Sequence, residues 1–152
     1  MTLAVSYASG PSDKPLLGST IGKFFDYAAG RYAEREAVVS IHQQVRFTYS
    51  ELAERVNKLA KAFISAGFQK GDRIGIWSPN NVQWLITQYA TAKAGLILVT
   101  INPAYRSHEL AYVLRQSGCK GLILQNNLRS SNYEQMLCEL CPELPNVSTG
   151  KL

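Results

Sequence analysis

Cysteine is scarce in this sequence: there are three in 152 residues, an odd number. A secreted disulfide scaffold needs more of them, and in pairs, so a reducing, intracellular compartment is the better fit. Long apolar runs are also missing. No stretch reaches the roughly eighteen consecutive apolar residues that a membrane-spanning helix needs. No block of like charge occurs either. Sixteen Lys and Arg stand against eleven Asp and Glu, a net charge of +5, but the positive residues are scattered. The densest group, Lys58, Lys61 and the later Lys70, is diluted by apolar residues. Such a pattern reads as solvated faces with a mild bias towards anionic small molecules, and it gives no footprint for nucleic acid. Met1 to Leu17 contains Lys14 and Asp13 but no Arg, which does not make a signal or transit peptide.

What is present is a globular composition, 46% hydrophobic and 18% charged. The length suits one domain, with a core that buries roughly two-thirds of the unfolded surface. Met1 to Ser19 holds Gly10, Pro11, Pro15 and Gly18 and reads as an irregular arm. Thr20 is placed to cap a helix carrying Ile21, Phe24, Phe25 and Ala28 on one face, and Gly30 weakens its end. Ala37–Ile41 and Val45–Phe47 read as two strands of a hairpin around His42-Gln43-Gln44. Thr48-Tyr49-Ser50-Glu51 has the form of a capping box ahead of the stripe Leu52, Val56, Leu59, Ala60, Phe63, with Gly67 at the left-handed stop.

Beyond Gly71 the pattern alternates. Arg73–Trp77 is a strand, and Ser78-Pro79-Asn80-Asn81 breaks it and offers an Asn cap. Val82, Leu85, Ile86, Tyr89 and Ala90 then form a helix face that Trp84 and Ala92 widen, so this helix is expected to be buried on most sides. Gly95 ends it. Leu96–Ile101 has no polar alternation, as expected of a strand covered on both faces. Asn102-Pro103 stops that strand, and Ser107 is placed to cap a helix with Leu110, Val113 and Leu114, closed by Gly118. Lys120–Leu124 is another strand, and Asn132–Leu140 is a last amphipathic helix ended by Pro142. The fold class is therefore α/β: a β hairpin followed by β-α-β-α-β-α units with a parallel sheet and right-handed crossovers.

Several motifs suggest chemistry. Gly18-Ser19-Thr20-Ile21-Gly22-Lys23-Phe24 has the look of a phosphate loop, but Leu17 stands where its first Gly belongs and Phe24 where the metal-binding Ser or Thr belongs. A helix start is the better reading. Cys138-Glu139-Leu140-Cys141 is a C-x-x-C, but it falls at the end of a helix rather than at an N-terminus, where the helix dipole assists a redox thiol. Cys119, His42 and His108 supply no second paired spacing for zinc. A small thiol-redox role therefore stands behind the plainer reading of one buried and one incidental Cys. His108 has no nucleophile or acid partner, and His42 sits in a turn. Trp77 and Trp84 flank a strand-to-helix turn, where aromatic residues either line a ligand cleft or, more often, fill the core. The loops Ser78–Asn81 and Asn102–Arg106 share the C-terminal edge of the sheet, with helix N-termini that could receive an anion and with Tyr105 and Arg106 as the polar groups to watch. No catalytic, cofactor-binding or metal-binding constellation can be assembled from these residues.

Five phrases together resemble the N-terminal part of the AMP-forming acyl-CoA synthetases, of the adenylate-forming ligase superfamily. They are Phe47-Thr48-Tyr49-Ser50-Glu51-Leu52; Gly71-Asp72-Arg73-Ile74-Gly75-Ile76-Trp77-Ser78-Pro79-Asn80; Ala92-Lys93-Ala94-Gly95; Val99-Thr100-Ile101-Asn102-Pro103-Ala104-Tyr105; and Glu109-Leu110-Ala111-Tyr112-Val113-Leu114. Each is weak by itself, but their order and spacing over Thr20 to Leu140 are specific. Asn102-Pro103-Ala104-Tyr105 and Cys141-Pro142-Glu143 look most like the medium-chain fatty acid branch, whose animal form is mitochondrial.

The resemblance implies a ligase that joins a fatty acid to coenzyme A through an acyl-adenylate, using ATP and Mg²⁺. It also implies that residues 20–152 are an incomplete ligase N-terminal domain. The family's Thr-Ser-Gly-Thr-Thr-Gly-x-Pro-Lys-Gly, Tyr-Gly-x-Thr-Glu and Thr-Gly-Asp motifs are not in this sequence, and Ser148-Thr149-Gly150-Lys151 is not a substitute. The expectation is an N-terminal segment that is inactive alone, with no cofactor of its own. Open sheet edges and apolar helix surface should make it self-associate or depend on a partner. A non-catalytic module that binds or regulates a full-length synthetase is the alternative.

Overall fold

The computed structural model describes residue 10 and residues 13–128 and 130–146. Residues 13–19 form neither helix nor strand, while residues 1–9, 11 and 12 of the expected arm lie outside the described residues. Helix α1 (Ile21–Arg31) opens on Thr20, whose hydroxyl accepts from the Lys23 N–H (3.3 Å), and it runs through Gly30. Strands β1 (Glu36–Ser40) and β2 (Val45–Thr48) pair antiparallel. The hairpin closes through Gln44, which takes a left-handed φ of 54° in place of the missing glycine.

The capping box forms as the sequence specifies. Thr48 Oγ1 accepts from the Glu51 N–H (3.2 Å), and the Glu51 carboxylate accepts from the Thr48 N–H (2.8 Å). Helix α2 (Tyr49–Ser65) follows, burying Leu52, Val56, Ala60 and Phe63. The remaining large elements are β3 (Arg73–Trp77), α3 (Val82–Ala94), β4 (Ile97–Ile101), α4 (Ser107–Ser117), β5 (Gly121–Leu124) and α5 (Tyr133–Leu140). A two-residue hairpin, β6 (Asn127–Leu128) with β7 (Ser131–Asn132), separates β5 from α5.

Strand β3 lies between β4 and β5 and is parallel to both. The connection β3→β4 goes one way across the sheet and β4→β5 returns past β3, which makes a doubly wound arrangement with helices on both faces. One face packs Ile74 against Phe25, Leu52, Val56, Phe63 and Ala90 from α1–α3. The other packs Trp77 and Ile101 against Leu110 of α4 and Tyr133 of α5. Strand β3 is buried from Ile74 to Trp77 because it alone has neighbours on both edges and both faces.

Two expectations are corrected. The apolar run Leu96–Ile101 is not covered on both faces. It supplies edge strand β4, where Ile97 is 46% exposed and Thr100 is open, because the covering helices centre on β3. Helix α4 is capped by Arg106, not by Ser107. The Arg106 N–H donates to the Glu109 carboxylate (3.1 Å), and Ser107 becomes the first helical residue. Helix α3 is packed on several sides as expected, but its most buried residues include Thr87 and Thr91. Their hydroxyls are satisfied by donating to the Gln83 and Thr87 carbonyls (2.8 and 2.9 Å).

Candidate functional site

In a doubly wound sheet the natural ligand crevice lies beyond the strand C-termini, where the winding reverses. Here that point falls between β3 and β5. A groove of about 330 Å³ opens there. Its floor is Ile76, Ile123 and Leu124, Trp84 forms a wall, and Ser78, Asn81, Gln43, Gln83 and Gln125 supply the polar groups.

These side chains come from three distant segments and form two hydrogen-bonded groups that meet at the start of α3. Asn81 caps α3 by accepting from the Trp84 N–H (2.8 Å). The Asn81 amide donates to Ser78 Oγ (2.9 Å) and to Gln125 Oε1 (3.1 Å). Gln43, at the tip of the β1–β2 hairpin, accepts from the Val82 N–H (2.8 Å) and donates to Gln83 Oε1 (2.8 Å). Gln125 donates onward to the Asn127 carbonyl (2.8 Å). Among the described residues no charged side chain lines the groove, so it offers amide and hydroxyl dipoles over an apolar floor.

Of the residues singled out by position, the structure brings Ser78, Asn81 and Trp84 into this groove and leaves Tyr105 and Arg106 out of it. Tyr105 packs against the second core. The Arg106 guanidinium donates to Ser131 Oγ (2.7 Å). Neither helix N-terminus is open to an anion: Gln43 and Asn81 fill that of α3, and the Glu109 carboxylate fills that of α4. The backbone N–H groups of Glu109 and Arg106 hold that carboxylate below its ordinary pKa. Trp77 is core. It is fully buried, stacked on Tyr133 at 3.9 Å between ring centres, and donates from Nε1 to the Asn102 carbonyl (3.1 Å). Gln125 was within reach of sequence reasoning, because it directly follows a strand on the functional edge. Gln43 was not, since only the docking of the hairpin brings it there.

The other motifs resolve into structure. Gly22 is buried where α1 crosses α3, and a Cβ there would lie 3.1 Å from the Lys93 Cα. Lys93 in turn pairs with Asp26. The glycine near Thr20 therefore belongs to a helix crossing, and Lys23 is exposed. His42 and His108 are exposed as well. Cys138 and Cys141 sit in the last turn of α5 and at its C-cap. Among the described residues no group of His, Cys, Asp and Glu is placed to hold a metal ion. A second, apolar groove of about 460 Å³ lies between α1 and the α2–α3 pair, bordered by Leu17, Ile21, Phe24, Phe25, Leu85 and Tyr89.

The architecture is thus that of a doubly wound α/β domain with a neutral groove at its switch point. The chain belongs to the AMP-binding enzyme family, which matches residues 25–151. Within that family its similarity is to acyl-CoA synthetases. It is 43% identical over 148 residues to the mouse protein named medium-chain acyl-CoA ligase ACSF2, mitochondrial, covering 97% of this chain and 24% of the relative. It is 39% identical over 137 residues to the putative acyl-CoA synthetase YngI of Bacillus subtilis, covering 90% of this chain and 25% of the relative. A solved Mycobacterium tuberculosis fatty acyl CoA synthetase superposes with a TM-score of 0.67 at 30% identity, over 69% of this chain and 21% of that one. The chain spans about a quarter of the length of these curated relatives.

The nucleotide that the family name implies does not fit the groove by itself. Polyphosphate needs cations or free N–H groups, and the lining supplies neutral amides already bonded to one another. Among the described residues no helix is long and apolar enough to cross a membrane.

Proposed function

We propose that this chain is the leading segment of a fatty acid–CoA ligase. The longer protein would convert a medium-chain fatty acid, ATP and coenzyme A to acyl-CoA, AMP and pyrophosphate. Residues 20–152 would be the front of its N-terminal domain, preceded by an arm over residues 1–19, and the relatives' name supports a mitochondrial setting. The chain alone is catalytically silent. The observation that carries this is the neutral switch-point groove: adenylation must neutralise phosphate charge, and among the described residues no Lys or Arg lines that groove. The sequence agrees, because the family's lysine-bearing phosphate loop does not occur in it.

ATP–pyrophosphate exchange tests the reading directly. The isolated chain should give no exchange above a protein-free blank with any fatty acid. Fatty-acid-dependent exchange by this chain would overturn the claim of silence.

One observation favours the second reading, a binding module for a full-length synthetase or for a second copy. Leu17, Ile21 and Phe24 are 70%, 64% and 44% exposed at the mouth of the apolar groove, which is unusual for side chains so large. Native co-purification of the chain with a full-length family member would support that role. A strictly monomeric chain that captures no synthetase would remove it.

A further inference from the structure

The C-x-x-C at the end of α5 is the sequence feature that the ligase reading leaves unused. Cys138 and Cys141 are both free thiols and both half-buried. Helix α5 turns Tyr133, Met136, Leu137 and Leu140 to the core. The helical period then places Cys138 and Cys141 together on one flank, beside Leu137. Side chains three apart on a regular helix have Cβ atoms about 5–6 Å apart, whereas a disulfide needs about 3.5–4.5 Å. The bridge therefore requires the last turn to give slightly, and this turn is placed to do so. Cys141 has already left helical geometry, with φ −132° and ψ 75°. Its N–H donates to the Leu137 carbonyl (2.9 Å), its carbonyl accepts from the Leu144 N–H (3.1 Å), and Pro142, which follows, has no N–H to lose.

We propose that Cys138 and Cys141 are a reversible thiol–disulfide pair, oxidised by a small-molecule disulfide of the glutathione class. One protein thiolate attacks a sulfur of glutathione disulfide, forms a mixed disulfide and releases one glutathione thiolate. The second protein thiol gives its proton to solvent and attacks the protein sulfur of that mixed disulfide, expelling the second glutathione. Two protein thiols become one disulfide, and one glutathione disulfide becomes two glutathione molecules. The second step is intramolecular within one helical turn, which favours the bridge over a lasting mixed disulfide. Closing it distorts the turn, which makes the bridge easy to reduce. Cys119, whose Sγ lies 3.1 Å from Ser117 Oγ, serves as an internal control.

The experiment equilibrates the reduced chain in glutathione buffers of rising oxidised fraction. Free thiols are counted, and the products are mapped by peptide mass. Cys138 and Cys141 should be lost together, giving a product two hydrogens lighter that is bridged between them, with Cys119 still reduced. Reduction should restore all three thiols. Cys138→Ser and Cys141→Ser should each accumulate a glutathione adduct on the remaining partner. A wild-type chain that holds a stable adduct without bridging, that oxidises first at Cys119, or that keeps three thiols throughout would overturn the proposal. None of these outcomes depends on ligase activity.

Discussion

Tyr133→Phe is the most informative single perturbation of this fold. Tyr133 is fully buried, its ring stacks on Trp77 with an interplanar angle of 10°, and its hydroxyl donates to the Pro103 carbonyl. Through that hydroxyl, α5 pins the Asn102–Arg106 loop, which Trp77 also holds from the sheet side. The phenylalanine variant keeps the stack and deletes the donor, leaving the half-buried Pro103 carbonyl without its partner. The expected cost is about 1–3 kcal/mol, against about 3–5 kcal/mol for Tyr133→Ala, which also removes the ring. With a urea m-value of about 1.5 kcal/mol/M, the phenylalanine variant should unfold at a midpoint roughly 0.7–2 M lower. Tryptophan fluorescence is a suitable probe, because Trp77 lies against the altered ring.

The same residue sets an alkaline limit. Burial raises the Tyr133 phenol above its ordinary value of 10.0, with Arg106 opposing in part. The folded state therefore holds this proton more tightly than the unfolded chain does. The contribution is complete below the unfolded value and is lost as pH rises through the raised folded value. Tyr133→Phe should remove that decline. A variant with the wild-type midpoint and an unchanged alkaline slope would refute the reasoning.

Asp72 accepts from Lys120 and from the Gln69 N–H (2.8 Å), which hold its carboxyl below the ordinary aspartate value. Its contribution is present above the unfolded pKa and is lost as pH falls through the lowered folded one, so Asp72→Asn should flatten the acid limb of a stability–pH curve measured by urea unfolding. Thr48→Ala removes the acceptor for the Glu51 N–H and should cost about 1 kcal/mol by thermal or urea melting. Gly118 closes α4 at φ 62° with open space around its Cα, so any cost of Gly118→Ala is conformational. About 1 kcal/mol is expected for it, and distinctly less for Gly118→Asn, which tolerates the left-handed region.

The amino-acid sequence alone determined the local elements and their order, because their causes lie within a few residues. Thr20, Thr48 and Asn81 cap their helices from adjacent positions, and Gly67, Gly95 and Gly118 take the left-handed geometry that stops them. The alternation after Asp72 calls for parallel strands, and the five ordered phrases by themselves point to the family. Tertiary structure alone decided which strand is central. The longest apolar run proved to be edge strand β4 and the shorter Arg73–Trp77 the buried middle, because strand order depends on crossovers and not on the composition of a run. It also decided the groove. Gln43 reaches Val82 from thirty-nine residues away and Asn81 reaches Gln125 across forty-four, separations that no local periodicity encodes.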